Sequence, residues 1–393
     1  MTRNPQDDLQ PEGVSEPDAP SDKARPAKRE LKRGWTTGTC AAAAAKAAYL
    51  GFLTGRFPDP VQITLPKGER PSFDLVEARR CDRAARVAVE KDAGDDPDVT
   101  HGALISAKVT RGEPGSGVIF IAGEGVGVVT MPGLPVAVGE PAINPGPRKL
   151  ISGIVAEIAH THGDSGDLEV TVSIPGGEIL AKKTANERLG IVGGLSILGT
   201  TGVVIPYSCS AWIASIHRGI DVARAAGFEH VAAATGSTSE KAVRAHYGLP
   251  DQALIEMGDF VGGMLKYLRR HPIPRLTIAG GFAKISKLAN GHLNLHSKRS
   301  MVDFAGLTDL LAARGASSDL LDQVRQTRIA SQALKLASAA SLPLADDVAD
   351  NARAFVLDQI DGKAEIEVMI FDREGTLAGR ACGWSGRSER ERR

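Results

Sequence analysis

Hydroxyl-bearing residues and glycines that could hydrogen-bond a ligand cluster in short stretches that each precede a helical pattern. The first stretch is Thr36, Thr37, Gly38 and Thr39, which leads through Cys40 into five alanines. Thr39 is predicted to cap this helix, because threonine accepts a backbone N–H at the N-cap. Helix N-termini bind anions, so the stretch could hold a negatively charged ligand. A closely packed, well-capped structural helix explains the same pattern.

A glycine-rich run, Gly123-Glu124-Gly125-Val126-Gly127, follows a predicted strand at Gly117–Ala122. Glycine-rich turns that cradle a nucleotide lead into a helix. Here an extended stretch broken by Pro132 follows instead. Two interpretations stay open: a sharp bend between strands, or a site where backbone approaches a ligand closely. Both need residues without a Cβ.

Cations stand at the start of two predicted helices. Asn144-Pro145 is a good helix start, since asparagine caps well and proline loses no needed N–H at the first position. Arg148 and Lys149 follow in or next to the first turn, where the helix dipole disfavours positive charge unless an anion is close. Lys284 and Lys287 repeat the pattern. Carboxylate binding is one interpretation, and exposed solvated side chains are the other.

From about residue 190 the pattern alternates between strands and helices, as in a parallel sheet. Ligands bind such sheets at the carboxyl ends of the strands. The loops predicted there are Tyr207–Ser210, Thr235–Glu240 and Gly280–Lys284. The second loop carries several hydroxyls and suits a carboxylate, a ribose or an amino group, although Thr238 or Ser239 could serve only as a cap. Serine catalysis at Ser208 is discounted, because no G-x-S-x-G motif is present.

These patterns predict an α+β domain over residues 34–189 and an α/β, Rossmann-like domain over residues 190–385, with a parallel sheet and helices on both faces. Residues 1–33 combine prolines with balanced charge and are predicted to be a disordered tail. Residues 386–393 are predicted to fray. The predicted strands are Val61–Leu65, Phe73–Val76, Ala85–Val89, Leu104–Val109, Gly117–Ala122, Leu168–Ile174, Val203–Pro206, His230–Ala234, Leu276–Ala279 and Ile366–Phe371.

Composition narrows the function classes. The 393 residues include 47 basic and 47 acidic ones, and aromatic residues make up 4%. Zero net charge and scarce aromatics argue against a nucleic-acid binder, and no long apolar run suggests a membrane span. The scattered cysteines indicate neither a zinc site nor a disulfide framework, and His160 and His162 lack a nearby third ligand. A cytoplasmic enzyme without its own metal site is predicted.

Several long motifs follow one another along the chain: Gly34–Cys40, Gly125–Gly127, Pro132–Leu134, Val138–Pro145 with Arg148, Gly190–Pro206, and the glycine, lysine and His-Ser motif that contains Lys284 and His296. Together they resemble one family, the cobalt-precorrin-5B (C1)-methyltransferases of cobalamin biosynthesis. The resemblance implies a small-molecule tetrapyrrole substrate with cobalt only as part of that substrate. It also implies methyl transfer from S-adenosyl-L-methionine to ring carbon 1 of cobalt-precorrin-5B, giving cobalt-precorrin-6A.

Site residues follow from the resemblance and from the loop positions. The donor is expected at Thr200, Thr201, Ser208, Thr235, Gly236, Ser237, Thr238 and Glu240. The macrocycle is expected at Thr36, Thr37, Gly38, Thr39, Gly125, Gly127, Pro132, Gly133, Asn144, Arg148, Lys284 and His296. Glu124, Glu140 and Asp259 are the candidate bases, and each also has an ordinary explanation as a turn, loop or helix-start residue.

Two other function classes remain. A non-catalytic tetrapyrrole carrier would share the cationic helix starts but would need no donor pocket. A glycine-loop kinase would need the phosphate-binding sequence G-x-x-x-x-G-K-[ST], which the chain lacks. The sequence leaves open whether identical subunits assemble into a homo-oligomer.

Overall fold

The structure is a computed structural model that describes residues 30–382 and residue 384. Residues from Lys32 onward form one compact unit, whereas only Glu30 and Leu31 are described of the preceding unit. The described residues therefore exclude 1–29 of the predicted N-terminal tail and all of the predicted C-terminal tail, 386–393. Lys32 was predicted within the disordered tail, but its N–H donates to Asp95 Oδ2 at 2.7 Å and its ammonium contacts Asp92 at 2.6 Å.

The first half of this unit is built around one sheet and two long helices. Its elements are β1 (Gly34–Trp35), α1 (Thr37–Thr54), β2 (Val61–Gln62), β3 (Ser72–Phe73), β4 (Glu77–Cys81), β5 (Ala84–Glu90), β6 (Leu104–Arg111), β7 (Val118–Ala122), β8 (Val128–Val129), α2 (Pro145–His162), β9 (Leu168–Ser173), α3 (Gly177–Ala181), β10 (Ile191–Val192) and β11 (Val203–Val204), with a 3-10 turn at Glu187–Leu189.

The main sheet of this half has the order β4-β5-β6-β9-β7. All neighbours are antiparallel except β7 and β9. Helix α1 packs against β5, β6 and α2, and its alanines are almost completely buried. Alanine has the lowest helix cost and no bulk beyond Cβ, so the helix forms readily and approaches its neighbours closely.

The second half surrounds a separate hydrophobic core. Its elements are α4 (Cys209–Ala225), β12 (His230–Ala234), α5 (Ser237–Tyr247), β13 (Leu254–Glu256), α6 (Val261–Leu268), β14 (Arg275–Gly281), α7 (Phe282–Ala289), α8 (Phe304–Ala313), α9 (Ser318–Gln326), α10 (Ala330–Ala339), α11 (Leu344–Gln359), β15 (Glu365–Phe371) and β16 (Leu377–Ala381), with a 3-10 turn at Asp251–Ala253.

Its sheet has the order β13-β12-β14-β15-β16. The first four strands are parallel and β16 is antiparallel to β15. Strands β13 and β16 were not predicted, and the antiparallel edge strand departs from the expected parallel sheet. Helix α5 packs on one face through Val243, while the larger core lies on the other. The mixed α/β class is confirmed.

One strand belongs to a different sheet from the one predicted. Val203–Val204 pairs antiparallel with β1, and Ile191–Val192 pairs antiparallel with β8. Leu195 and Ile197 belong to the first core. The chain therefore completes its first half only after about residue 204, because these short strands find their partners far back in the sequence. A domain boundary at residue 189 stays a prediction.

Candidate functional site

A cavity of about 340 Å³ lies at the carboxyl ends of three parallel strands, β12, β14 and β15. Its position follows from the strand order: the chain runs from β12 to β13 on one side and then crosses to β14 on the other. A crevice opens where such a reversal occurs. The lining residues are Thr235, Gly236, Ser237, Thr238, Ser239, Gly281, Phe371, Asp372 and Arg373.

Two predicted loops meet at this cavity because their strands are neighbours. The Thr235 N–H donates to the Ala279 carbonyl at 2.9 Å, which ties the end of β12 to β14. Ser237 and Thr238 are exposed. Ser239 donates its hydroxyl to the Gly236 carbonyl, whereas the hydroxyls of Ser237 and Thr238 have no hydrogen-bond partner among the described residues. Two hydroxyls are thus available to a ligand.

Gly236 leaves open space at the same point. Its φ of 179° is extended, and a Cβ built there would meet no atom within 4 Å. Helix α5 begins at the next residue, so its first backbone N–H groups also face this end of the element. The cavity therefore combines free hydroxyls, helix-start donors and room beside the backbone.

The turn between β15 and β16 supplies groups that the sequence analysis missed. Asp372 Oδ1 accepts the N–H groups of Glu374 and Thr376 at 3.0 and 2.7 Å, which shapes the turn. A Cβ at Gly375 would lie 3.8 Å from Thr238, so the turn packs on α5. Arg373 is exposed beside it. The Asp-x-x-Gly turn after a buried strand was the available signal.

Glu240 was predicted to bind the donor, and the structure places its carboxylate in an ion pair. Arg188 donates to both carboxylate oxygens, at 2.8 and 2.6 Å, and Arg244 lies 3.5 Å away. The hydrogen bond to Glu240 raises the pKa of Arg188. This pair joins the residues before β10 to helix α5, and a donor contact at Glu240 stays a prediction.

The start of α1 is buried and bonded within the protein. Thr36, not Thr39, is the N-cap, and its side chain accepts the Thr39 N–H at 3.2 Å. The Thr39 hydroxyl instead donates to the Gly202 carbonyl at 2.7 Å. The prediction about the cap was wrong because the Thr39 hydroxyl bonds to Gly202, a residue far away in the sequence that the local pattern cannot reveal.

Residues 198–202 lie against the starts of both long helices. The Gly38 N–H donates to the Leu198 carbonyl at 3.1 Å, and a Cβ at Gly146 would lie 3.7 Å from Thr200. The Thr201 hydroxyl donates to the Val203 carbonyl at 3.3 Å. The residues predicted to bind the donor therefore fall in separate places, with Thr200 and Thr201 beside α1 and α2 rather than beside Thr235.

Replacing Thr37 with valine tests whether this region is structural. Thr37 Oγ1 exchanges two hydrogen bonds with the Leu198 backbone, at 3.2 and 3.3 Å. Valine keeps the shape but leaves both backbone groups without this partner, so we expect a loss of about 1–3 kcal/mol in the free energy of unfolding. Thr161→Val, on the exposed last turn of α2, should change it by about 0.5 kcal/mol or less. Denaturant unfolding measures both, and equal effects would contradict the structural role.

The glycine run is a bend between β7 and β8 with backbone packed on both sides. A Cβ at Gly125 would lie 1.9 Å from the Ile174 carbonyl oxygen, and one at Gly127 would lie 2.9 Å from the Gly194 oxygen. Glu124 is exposed on this bend. The need for glycine here is therefore explained by close packing, and substrate contacts at Gly125 and Gly127 stay predictions.

The Pro132-Gly133 segment joins the two halves. Gly133 has φ +104°, and a Cβ there would lie 2.6 Å from the Asp221 carbonyl oxygen of α4. This close approach requires glycine on both steric and conformational grounds. A role of Pro132 and Gly133 in substrate binding stays a prediction.

Arg148 finds its anion within the chain. Its Nε donates to the Ile143 carbonyl at 2.8 Å, and both terminal nitrogens lie 3.1 Å from Glu140 Oε2. Asn144 occupies the N-cap of α2, but its side chain makes no cap hydrogen bond, contrary to the prediction. The guanidinium lies over the Phe120 ring at 5.3 Å. Glu140 and Arg148, predicted as base and substrate ligand, thus hold each other.

Lys284 and Asp259 also pair with each other. Lys284 Nζ contacts Asp259 Oδ1, and both Lys284 and Lys287 donate to the Leu295 carbonyl at 3.2 Å. Burial, together with the Lys284 ammonium, lowers the pKa of Lys287. His296 is exposed on the following loop, where its Nδ1 accepts the Lys298 N–H at 3.2 Å. This cluster follows the ends of β13 and β14.

Ser208 was predicted at the carboxyl edge of the second sheet, but the strand before it pairs with β1 in the first half. Ser208 is the N-cap of α4 and accepts the Ala211 N–H at 3.3 Å. The predicted position of Ser208 at the edge of the second sheet therefore no longer supports its predicted donor contact.

Among the described residues no group of three or more His, Cys, Asp or Glu side chains could hold a metal ion. No helix in the described range is long and apolar enough to cross a membrane.

Comparison with known proteins assigns the family. Models described as CbiD and CbiD, C-terminal domain match residues 24–206 and 294–382. A protein from Agrobacterium fabrum named cobalt-precorrin-5B C(1)-methyltransferase is 55% identical over 90% of this chain and 93% of its own. One of the same name from Paramagnetospirillum magneticum is 56% identical over 90% and 99%.

A crystal structure of the cobalamin biosynthesis protein CbiD from Archaeoglobus fulgidus shows 30% identity. It covers 64% of this chain and 77% of that one, with a TM-score of 0.37. The sequence matches define this chain, whose fold is mixed α/β, as a methyltransferase. It belongs to the CbiD family, in which the relatives named above are cobalt-precorrin-5B C(1)-methyltransferases.

Proposed function

We propose that this chain transfers a methyl group from S-adenosyl-L-methionine to carbon 1 of cobalt-precorrin-5B, giving cobalt-precorrin-6A in cobalamin biosynthesis. The names of relatives that are 55% and 56% identical over 90% of the chain support the reaction. The structural observation that carries the donor site is the hydroxyl-lined cavity at the strand ends. We further propose that the protein acts in the cytoplasm.

The second half is proposed to be a Rossmann-like domain that binds the donor. In its sheet, β13 lies on one side of β12, whereas β14 and β15 lie on the other, so the strand order reverses at β12. Helices lie on both faces of this sheet. Open sheets of this type bind ligands at the reversal. The cavity there, about 340 Å³, is within the roughly 300–1,000 Å³ typical of small-molecule sites.

The lining groups fit the chemistry of this donor. Ser237, Thr238 and the first N–H groups of α5 can hydrogen-bond a carboxylate or ribose hydroxyls. Arg373 can pair with a carboxylate, and Asp372 can accept from a ribose hydroxyl or an ammonium group. When bound, the sulfonium supplies an electrophilic methyl group.

The chain's contribution to the reaction is chiefly alignment. Methyl transfer in line needs the acceptor carbon held against the donor and needs no covalent intermediate on the enzyme, so positioning supplies most of the catalysis. Among the three candidate bases, Asp259 is tied to a strand that ends at the cavity: the N–H of the preceding residue, Gly258, donates to the carbonyl of Ala234, the last residue of β12, at 3.2 Å. We propose that Asp259, held by Lys284, accepts any proton the macrocycle loses.

Incubation with isotopically labelled S-adenosyl-L-methionine and macrocycles with and without cobalt tests the reaction. We expect one labelled methyl group per macrocycle by mass spectrometry, at carbon 1 by carbon NMR. Macrocycle binding without donor binding, measured by calorimetry, would favour the carrier alternative. Conversion of ATP to ADP would favour a kinase or another NTPase, a class that no feature of the described residues supports. Absence of label with every macrocycle would overturn the proposal.

A further inference from the structure

A second and larger cavity, of about 470 Å³, lies between residues 182–189 and the surfaces of α4 and β13. The Arg188–Glu240 ion pair connects it to the first cavity. Arg188 lines the larger cavity, and Glu240 directly follows Ser239 of the smaller one. Two cavities of different character thus lie on either side of one ion pair.

The larger cavity carries unpaired positive charge. Lys182 and Lys183 line it and are exposed, and neither forms an ion pair with any residue in the described part of the chain. Arg188 is already neutralised by Glu240. Glu256 is the one carboxylate in the lining. Two free ammonium groups at the border of a cavity attract anionic ligands.

The lining of this cavity also includes an aromatic surface. Trp212 is 46% exposed, although tryptophan is mostly well buried in folded proteins. Its Nε1 donates to the Glu256 carbonyl at 3.3 Å, and the ring lies beside Gly258. The indole is therefore held in place with part of its apolar surface uncovered. Leu189 and Ile216 extend the apolar lining.

We propose that this cavity receives one edge of a carboxylate-bearing tetrapyrrole, with Lys182 and Lys183 pairing with peripheral carboxylates and Trp212 contacting the conjugated ring. The proposal rests on the proposed function and adds the place of the acceptor. Free ammonium groups form charge-assisted hydrogen bonds with carboxylates, and a fixed indole packs against a flat conjugated ring. The Arg188–Glu240 pair then holds the acceptor cavity beside the donor cavity.

Binding of uroporphyrin, a cobalt-free macrocycle with eight carboxylates, tests the assignment. We expect Lys182→Glu/Lys183→Glu to weaken its binding about 10-fold or more, and the milder Lys182→Ala/Lys183→Ala to weaken it less. Trp212→Ala should also weaken it and should remove most of the tryptophan quenching seen on binding. Donor affinity by calorimetry should be unchanged, because neither lysine lines the smaller cavity.

A matched control carries the same change of charge elsewhere. Lys266 and Lys335 are exposed lysines that do not line the cavity, so Lys266→Glu/Lys335→Glu should bind uroporphyrin as the unmodified protein does. Equal weakening by both double variants would show that overall charge, not the cavity, determines binding, and would overturn the inference.

Methyl transfer to cobalt-precorrin-5B separates this inference from the proposed function. Absence of transfer by the unmodified protein overturns the proposed function. Normal transfer and undiminished uroporphyrin binding by the cavity variant overturn only the acceptor site.

Discussion

Replacing Gly236 with valine is expected to weaken donor binding strongly while leaving the fold intact. Gly236 lines the smaller cavity, its backbone is extended, and a Cβ there would enter open space. The Cβ therefore meets no protein atom, and the added side chain occupies room that the proposed donor requires. We expect the affinity for S-adenosyl-L-methionine, measured by calorimetry, to fall about 10-fold or more.

The control for this change is Gly153→Val. Gly153 is exposed on α2, and a Cβ there also meets no atom within 4 Å. The same side chain is added at both positions, so thermal unfolding should show near-native stability for both variants, and only Gly236→Val should lose donor binding. Undiminished donor affinity in Gly236→Val would remove the smaller cavity as the donor site, whatever reaction the enzyme performs.

The largest loss of stability is expected from Gly125→Ala. Gly125 has φ +70°, and its Cβ would lie 1.9 Å from the Ile174 carbonyl oxygen and within 3 Å of the Gly177 backbone. Backbone atoms cannot move aside as a flexible side chain can. The strain of a left-handed alanine adds to this overlap, so we expect a loss of about 3 kcal/mol or more in the free energy of unfolding, measured with denaturant.

Gly193→Ala separates the two causes. Gly193 has φ +84° but faces open space, so its replacement should cost only the backbone strain, about 1 kcal/mol. A similar small loss at Gly125 would contradict the close packing described above. Stability unchanged at Gly125 together with weakened macrocycle binding would instead favour the substrate contact that the family resemblance implies for this residue.

Elements with a strong local pattern could be predicted from the sequence. His230–Ala234 was predicted with the bounds that the structure has, and the alanine helix begins within the expected stretch. A run of apolar β-formers between turns and a run of alanines each favour one backbone conformation by themselves. The three-residue strand at Leu254–Glu256 escaped prediction because so short a segment has no period.

Hydrogen-bond partners far apart in sequence could not be predicted. Thr39 has the side chain of an N-cap, but Gly202 takes its hydroxyl. Val203–Val204 looks like the first strand of the second half, yet it pairs with β1 at residues 34–35. For Thr39 the local capping preference is about 1 kcal/mol, and the buried hydrogen bond to Gly202 outweighs it. For Val203–Val204 the partner strand lies about 170 residues earlier in the chain, beyond the reach of any local pattern.

Local residue patterns were sufficient for the mixed α/β class, most of the strands, the family and the hydroxyl-rich loop at Thr235–Ser239. The tertiary structure alone brought that loop against Asp372 and Arg373, about 130 residues later in the chain, and placed Lys182, Lys183 and Trp212 in the lining of one cavity. Side-chain chemistry and short-range periodicity are properties of neighbouring residues, whereas a cavity exists only where strand order and helix packing bring distant loops together.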